Sequence, residues 1–200
     1  MKQAKALVMR KREERIIAVA KEHFLRRGYE KAAILEIAKE CDVAVGTVYK
    51  HFDSKEALFL AVINEEFKRL MRAVKRAIRY VTCPLERFKI FAALRLRVME
   101  KNRALFEKDI QNVSIFLMQN LKNFDSFYHK KTQFLSELAE EMIKKEILDP
   151  GHPKLYANLM ESLTDGFVHS YFVDQITRPD HKTFGDQVTR ILLKGLGRAA

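Results

Sequence analysis

The sequence predicts an all-α protein, with a three-helix helix-turn-helix domain over residues 1–56 and a larger helical domain over residues 57–200. Only seven Gly and four Pro occur among the 200 residues, so long stretches contain no residue that breaks a helix. Apolar residues recur three and four positions apart along most of the chain, which is the period of an amphipathic helix. Near the N-terminus, three short helical segments with a tight turn between the second and third are typical of a helix-turn-helix.

The first helix is predicted over residues 12–27, because Ile16, Ala20 and Phe24 lie four residues apart and form one apolar stripe. Gly28 follows, and we expect it to adopt the left-handed αL conformation in which many helices end. Two arginines directly before this glycine suit the negative end of the helix dipole.

The second and third helices are predicted over residues 34–41 and 45–51. Asp42 lies between them, and we expect it to adopt the αL conformation, which Asp tolerates better than most residues. The small residues Ala38 and Gly46 flank this turn, and we expect them to let the two helices cross closely.

Further helices follow, and Ser54 is the predicted N-cap of the first of them. These helices are predicted over residues 55–80, 85–100, 103–121, 124–147, 154–174 and 181–197. The helix that begins at residue 103 is expected to be interrupted near Asn112. Residues 149–153, which read Asp-Pro-Gly-His-Pro, form the clearest predicted loop.

The net charge of +11 indicates a polyanionic partner, with nucleic acid favoured over an anionic membrane. Residues 1–55 hold 13 Lys and Arg against 8 Asp and Glu, so the first quarter of the chain is more than twice as positive per residue as the rest. The apolar faces of the basic helices are expected to pack in the core, so none is left to bind a membrane. We therefore expect a nucleic-acid site near the N-terminus and no membrane partner.

The composition also argues against several classes of protein. Cys41 and Cys83 are too few for a disulfide framework and fit the reduced thiols of a cytoplasmic protein. No secretory signal and no membrane-spanning stretch is expected. The sequence contains no P-loop, G-x-G-x-x-G, H-E-x-x-H or G-x-S-x-G motif. We therefore predict that the chain is not an enzyme and uses no metal site and no cofactor.

Residues 16–59 read IIAVAKEHFLRRGYEKAAILEIAKECDVAVGTVYKHFDSKEALF. The positions that carry a recognisable pattern are Ala20, Phe24, Gly28, Tyr29, Ile37, Ala38, Val43, Gly46, Thr47, Val48, Tyr49, Phe52, Lys55, Glu56, Ala57 and Leu58. In this segment the chain resembles the tetracycline-repressor (TetR) family of bacterial and archaeal regulators. The resemblance implies a DNA-binding helix-turn-helix, followed by a helical domain that binds a small molecule and dimerises.

The resemblance also implies where DNA is contacted. Tyr49 and Lys55 are the implied contacts to the phosphate backbone, while Lys50 and His51 offer donors to base edges or to phosphates. The full set of candidate DNA-binding residues is Leu35, Ala44, Val45, Thr47, Tyr49, Lys50, His51 and Lys55. The chain departs from the family pattern at Leu35, Ala44 and Ala33, where family members often carry polar residues.

Two further basic segments have open interpretations. The first consists of Lys2, Lys5, Arg10, Lys11 and Arg12. It fits either an arm that follows DNA phosphates or a disordered, solubilising tail. The second consists of Lys68, Arg72, Lys75 and Arg79, along one side of the fourth helix. We interpret it as a solvated helix face.

The larger domain is rich in phenylalanine, which suits the walls of an apolar ligand cavity and equally suits a solid core. The candidate wall residues are Phe88, Phe91, Phe106, Phe116, Phe127, Phe134 and Phe167. The polar groups placed to orient a ligand are Tyr128, His169, His129 and Asn120. The positive charge of residues 56–200 leaves room for an anionic ligand, such as an acyl-CoA thioester.

The last two predicted helices carry a different pattern. Ser162, Gly166 and Ser170 recur every four residues and form a narrow face that another helix can approach closely. The final helix presents apolar residues at helical spacing, namely Phe184, Val188, Ile191 and Leu192. These residues predict a four-helix dimer interface, with an intrachain helix pair as the alternative.

These observations lead to one main hypothesis and one alternative. The main hypothesis is a homodimeric repressor that binds a double-stranded DNA operator and is released by a small apolar ligand, which can be anionic. The alternative keeps the DNA-binding domain but makes the helical domain a docking scaffold for a protein partner.

Overall fold

The computed structural model describes residues 2–105, 125–173 and 181–196. Within these ranges it contains eight α-helices, which confirms the predicted all-α class. The helices are α1 (Lys2–Lys31), α2 (Ile34–Glu40), α3 (Val45–His51), α4 (Lys55–Ala77), α5 (Pro84–Lys101), α6 (Asp125–Lys144), α7 (Pro153–Val173) and α8 (His181–Leu196). A short 3-10 turn follows α5 at Arg103–Leu105. In the described ranges, none of the helices combines the length and the apolar character that crossing a lipid bilayer requires.

The described residues fall into two units. The N-terminal unit contains residues 2–67, joined by Ala104 and Leu105, and the C-terminal unit contains residues 68–103 and 125–196. Helix α4 passes from one unit to the other after Phe67. The sequence-based boundary at residue 56 lies in the first turn of α4, and as a functional boundary it stays a prediction.

The core of the N-terminal unit is built on the predicted apolar stripe of α1. Ile16, Ala20 and Phe24 are all fully buried. The Phe24 ring meets the Phe59 ring of α4 edge to face, with centroids 5.2 Å apart. Aromatic pairs in this geometry add stabilisation beyond the area that they bury. The stripe therefore holds α1 against α4.

Helix α1 differs from its prediction at both ends. It begins at Lys2 instead of Arg12, because residues 2–11 are mostly good helix formers that need no buried face to be helical. The basic N-terminal residues thus lie on a helix, and their contact with DNA stays a prediction. At the other end Gly28 has φ 78° and ψ 166°, and the helix continues beyond this kink to Lys31. The positive φ was expected, but the αL conformation was wrong: this ψ places Gly28 in a region that is essentially open to glycine alone.

The turn between α2 and α3 follows its prediction closely. Asp42 has φ 57°, in the αL region. The backbone N–H of Val43 donates to the carbonyl oxygen of Ala38 at 3.0 Å and closes the end of α2. After α3, the Ser54 hydroxyl accepts a hydrogen bond from the Ala57 N–H at 3.1 Å. Ser54 is therefore the N-cap of α4, as predicted.

The C-terminal unit has its core between α5, α6, α7 and α8. Its fully buried side chains include Phe88, Phe91, Leu135 and Phe184. Helix α6 ends at Lys144, before the predicted end at residue 147, because Glu146 adopts φ 56°. This lets the Ile147 N–H reach back to the Met142 carbonyl oxygen at 2.9 Å and terminate the helix. Apart from Arg103–Leu105, the predicted helix 103–121 and its interruption near Asn112 lie outside the described residues.

Candidate nucleic-acid interface

Helix α3 presents one face to solvent and anchors the other in the N-terminal unit. Val48 and Phe52 are buried and anchor α3 in the N-terminal unit. On the opposite side Tyr49 and Lys50 are exposed, and Tyr49 keeps 46% of its surface accessible. Among the candidate DNA-binding residues, four are exposed, namely Leu35, Ala44, Tyr49 and Lys50. The other four are half-buried, namely Val45, Thr47, His51 and Lys55.

Gly46 does not have the packing role that the sequence suggested. It is exposed, and a Cβ atom built on it meets nothing within 4 Å. The close approach of α2 and α3 therefore rests on the buried Ala38. The absence of a side chain at Gly46 leaves the solvent face of α3 flat next to Tyr49 and Lys50.

The departures at Ala33 and Ala44 fall on helix N-caps. Ala33 precedes α2 and Ala44 precedes α3, and neither helix start has a side-chain capping bond. Ala is a poor N-cap because it offers no oxygen to the free N–H groups of the first turn. On α2, the aliphatic side chain of Leu35 is 68% exposed. The two helix starts therefore lack a capping side chain, and Leu35 offers an apolar contact, at positions where family members often carry polar residues.

Lys55 lies in the first turn of α4, in contact with the end of α1. Its Nζ donates to the Glu30 carbonyl oxygen at 2.9 Å and lies 4.7 Å from the centre of the Tyr29 ring. The Tyr29 hydroxyl donates to Glu56 Oε1 at 2.6 Å. This hydrogen bond is the main reason that the pKa of Glu56 is lowered. Lys55 thus has a structural role in the free protein, and a phosphate contact has to compete with it.

The arginines at the end of α1 are held by glutamates of α2. His23 Nε2 lies 2.8 Å from Glu40 Oε2, and Arg26 Nη2 lies 3.5 Å from the same oxygen. Arg27 pairs with Glu36 in the same way. The hydrogen bond from His23 is the main cause of the lowered pKa of Glu40. Sequence reasoning missed this set, although His23 and Arg27 on α1, and Glu36 and Glu40 on α2, each lie four residues apart.

The comparisons with known proteins agree with this geometry. The family model described as "Bacterial regulatory proteins, tetR family" matches residues 16–62, which contain α2, α3 and their supports. Residues 16–62 therefore match the TetR family. The fold of the chain over most of its length is that of a putative TetR-family transcriptional regulator from Mesorhizobium loti, with a TM-score of 0.71 and 19% identity over 95% of this chain and 98% of the other.

Two more solved structures share this TetR-family fold. One is the regulator FadR from Bacillus subtilis in complex with stearoyl-CoA, with a TM-score of 0.71 and 20% identity over 91% of this chain and 98% of FadR. The other is AibR in complex with isovaleryl coenzyme A and operator DNA, with a TM-score of 0.56 and 19% identity over 92% of this chain and 97% of AibR. At these identities the likeness concerns the fold.

Curated relatives match only part of this chain. The repressor KstR of Mycolicibacterium smegmatis is 32% identical over 98 residues, which are 49% of this chain and 48% of KstR. The uncharacterized regulator YuxN of Bacillus subtilis is 43% identical over 56 residues, 28% of this chain and 19% of YuxN. The chain thus spans less than half the length of these relatives.

In the C-terminal unit, the described phenylalanines pack on one another. The Phe88 and Phe91 rings stack with centroids 6.4 Å apart, and Phe91 lies 5.8 Å from Phe134. Phe167 meets Phe184 edge to face at 5.8 Å. Phe106, Phe116 and Asn120 lie outside the described residues, as do the side chains of Phe127, Tyr128 and His169. The described part of the predicted cavity wall is therefore packed aromatic core, and its role in ligand binding stays a prediction.

A buried polar cluster lies among these helices, and sequence reasoning did not find it. Arg95 of α5 pairs with Asp165 of α7, and Lys131 of α6 pairs with Glu161 of α7. Burial is the main cause of the lowered pKa of Lys131, and nearby Arg95 adds to it. Arg95 Nε and Nη1 and Glu161 Oε2 are buried without a hydrogen-bond partner. Buried donors and acceptors without a partner cost stability.

The predicted dimer residues divide into two groups. Ser162 and Gly166 are exposed on α7, and a Cβ atom at Gly166 meets nothing within 4 Å. On α8, Ile191 is 39% exposed, whereas Phe184, Val188 and Leu192 are buried inside the protomer. The side chain of Ser170 lies outside the described residues. The buried group packs as an intrachain pair requires, and a dimer interface at the exposed positions stays a prediction.

Proposed function

We propose that this chain is a DNA-binding transcriptional regulator, acting in the cytoplasm as a homodimeric repressor that a small apolar ligand releases from its operator. The observation that carries the proposal is the exposed face of α3, with Tyr49 and Lys50, inside the segment that matches the TetR family model. A short helix with polar side chains on its free face fits the major groove, where base edges are read. Its buried face is fixed by Val48 and Phe52.

Apolar effectors are supported by the C-terminal unit and by structural relatives. The buried side chains of Arg95, Lys131 and Glu161, with the partly exposed Asp165, supply polar groups beside an aromatic core, and polar groups in an apolar setting are the usual composition of a small-molecule site. FadR and AibR were solved with stearoyl-CoA and isovaleryl coenzyme A. A thioester with a fatty or branched acyl chain is therefore the effector class that we propose for this chain.

The sign of regulation is a separate part of the proposal. Among the relatives, KstR is named a repressor, and FasR of Mycolicibacterium smegmatis, 31% identical over 102 residues, is named an activator. We propose repression, because an operator occupied by a dimer blocks polymerase without any further contact. A reporter under the selected operator should become active when the gene for this chain is deleted, and a silent reporter would indicate an activator.

The experiment starts from DNA, because the operator can be found without knowing the ligand. Duplexes selected from a random pool should converge on a palindrome whose half-sites lie about 34–36 Å apart, or a multiple of this. Adding stearoyl-CoA or isovaleryl coenzyme A as probes should then lower operator affinity by roughly 5–150-fold, the range of ordinary allosteric coupling. A pool that does not converge would overturn the DNA-binding proposal. A converged operator that no acyl thioester releases would favour the protein-docking alternative.

A further inference from the structure

A groove on the C-terminal unit lies between the second half of α4 and α6, and its volume is about 360 Å³. Lys68, Arg72 and Lys75 of α4 line one side, and Lys130 of α6 lines the other. All four side chains are exposed. The sequence-based interpretation of the α4 cations as a plain solvated face did not anticipate a fourth cation from another helix.

Charge in this groove is strongly one-sided. Residues 67–77 of α4 contain five Lys and Arg and no Asp or Glu. The one carboxylate in the lining, Glu137, accepts a hydrogen bond from Gln133 at 3.0 Å. Within the described residues, no ion pair is formed by Lys75 or Lys130. Lys75 and Lys130 therefore offer two cations to an anionic partner.

The helix dipole accounts for only part of this pattern. Lys75 lies in the last turn of α4, where the negative end of the dipole favours a cation. Lys130 is the sixth residue of α6, nearer the positive end of its helix. The dipole therefore does not favour a lysine at this position, and Lys130 lines the same groove as Lys75.

Apolar surface is the third component of the groove. The half-buried side chains of Met71 and Phe134 contribute to its lining. The Phe134 ring is held in place by Phe91, 5.8 Å away. A volume of about 360 Å³ lies at the lower end of the roughly 300–1,000 Å³ of small-molecule sites.

We propose that this groove binds a phosphorylated, nucleotide-sized small molecule. Its phosphates lie between Lys75 and Lys130, and its ring or apolar part lies against Met71 and Phe134. Phosphate is the anion that fits best, because one group carries up to two negative charges and several acceptor oxygens for ammonium donors. The proposal goes beyond the function proposed above, since the groove is formed by one protomer and needs neither DNA nor an acyl chain.

Direct binding to the full-length protein tests the proposal, with coenzyme A, ADP and adenosine as probes in a calorimetric titration without DNA. Coenzyme A and ADP should bind, and adenosine, which lacks phosphate, should not. Affinity for ADP should fall as salt is raised, because exposed charges are screened. Equal binding of all three probes, or no binding of either phosphorylated probe at millimolar concentration, would overturn the proposal.

Variants locate the site. Replacing both groove lysines, Lys75→Gln with Lys130→Gln, should raise the Kd for ADP at least about tenfold. The control is Lys154→Gln, which makes the same substitution at one exposed lysine of the same unit, outside the groove. It should leave the Kd for ADP within about twofold. Unchanged ADP binding in the double variant contradicts the site. If the double variant instead binds the operator more weakly and with a lower salt slope, these lysines contact DNA. If wild-type protein selects no operator, that result contradicts the proposed function and leaves the groove proposal untouched.

Discussion

The two units handle buried charge differently. In the N-terminal unit, Lys21 of α1 and Glu66 of α4 form a buried ion pair at 2.7 Å. The ion pairs between α1 and α2 reach solvent. In the C-terminal unit, the oppositely charged side chains of Arg95 and Glu161 each keep buried polar atoms without a partner, whereas the described N-terminal atoms of this kind are His23 Nδ1 and Asn64 Oδ1. The first arrangement fixes the packing of the N-terminal unit, so that the exposed face of α3 has one arrangement. The second retains buried polar capacity, which is what a domain needs if it is to change its contacts when a ligand binds.

The largest expected effect comes from breaking the buried pair of the C-terminal unit. Lys131→Met leaves Glu161 buried without its cation and should lower the free energy of unfolding by about 3–5 kcal/mol. Urea denaturation followed by circular dichroism measures it. The double variant Lys131→Met, Glu161→Leu should recover most of the loss, because no charge is then stranded.

The matched change in the N-terminal unit is Arg27→Ala, which removes the partner of Glu36. Both side chains are more than 40% exposed, so the loss should stay below about 1 kcal/mol. Equal losses for Lys131→Met and Arg27→Ala would show that burial does not set the cost of breaking these ion pairs.

The second effect concerns the kink in α1. Gly28→Ala forces a Cβ atom onto a backbone with φ 78° and ψ 166°, and it should cost about 1–3 kcal/mol. Gly46→Ala is the control, since Gly46 is helical, has no positive φ and has free space around it. The control should be neutral or stabilising by up to about 1 kcal/mol. A thermal melt of both variants distinguishes them, and a harmless Gly28→Ala would show that the kink is relaxed.

A smaller gain is expected from restoring a cap. Ala44→Ser supplies an oxygen for the free N–H groups of α3 and should stabilise the N-terminal unit by about 1 kcal/mol. Ala6→Ser is a suitable control because it introduces the same side chain at an exposed position within α1, away from a helix cap. Urea denaturation of both variants measures the difference. If they have the same unfolding free energy, α3 does not gain from a cap.

The smallest effect is a pH dependence. The pKa of Glu40 is lowered by the His23 hydrogen bond in the folded protein. A carboxyl group with a lowered folded pKa contributes stability above its unfolded value of 4.5 and loses it as the pH falls through the folded value. Acid titration of the unfolding midpoint should therefore decline less steeply below pH 4.5 in Glu40→Gln than in wild-type protein. Identical profiles for the two proteins would show that the hydrogen bond between His23 and Glu40 does not contribute to stability.

The sequence predicted the N-terminal unit better than the C-terminal unit, for physical reasons. At Asp42 and Ser54, one residue type decides a backbone conformation, so its position could be predicted to the residue. Phe88 and Phe134 could be assigned to a core but not to a role, because filling a core and lining a cavity require the same side chains. Pairing across helices, as between Lys131 and Glu161, depends on packing that helical periodicity does not encode. The early start of α1 was missed because an exposed helix needs no apolar stripe.

The most direct test of the central claim, that α3 reads DNA while the start of α4 holds its backbone, compares Lys50→Ala with Lys55→Ala. Operator binding is measured over a range of salt, on the selected operator and on single-base variants of it. Lys55→Ala should weaken binding to every sequence alike and lower the salt slope by about one. Lys50→Ala should lose about 1–3 kcal/mol of discrimination at one base position. Unchanged affinity, slope and base preference in both variants would contradict the account.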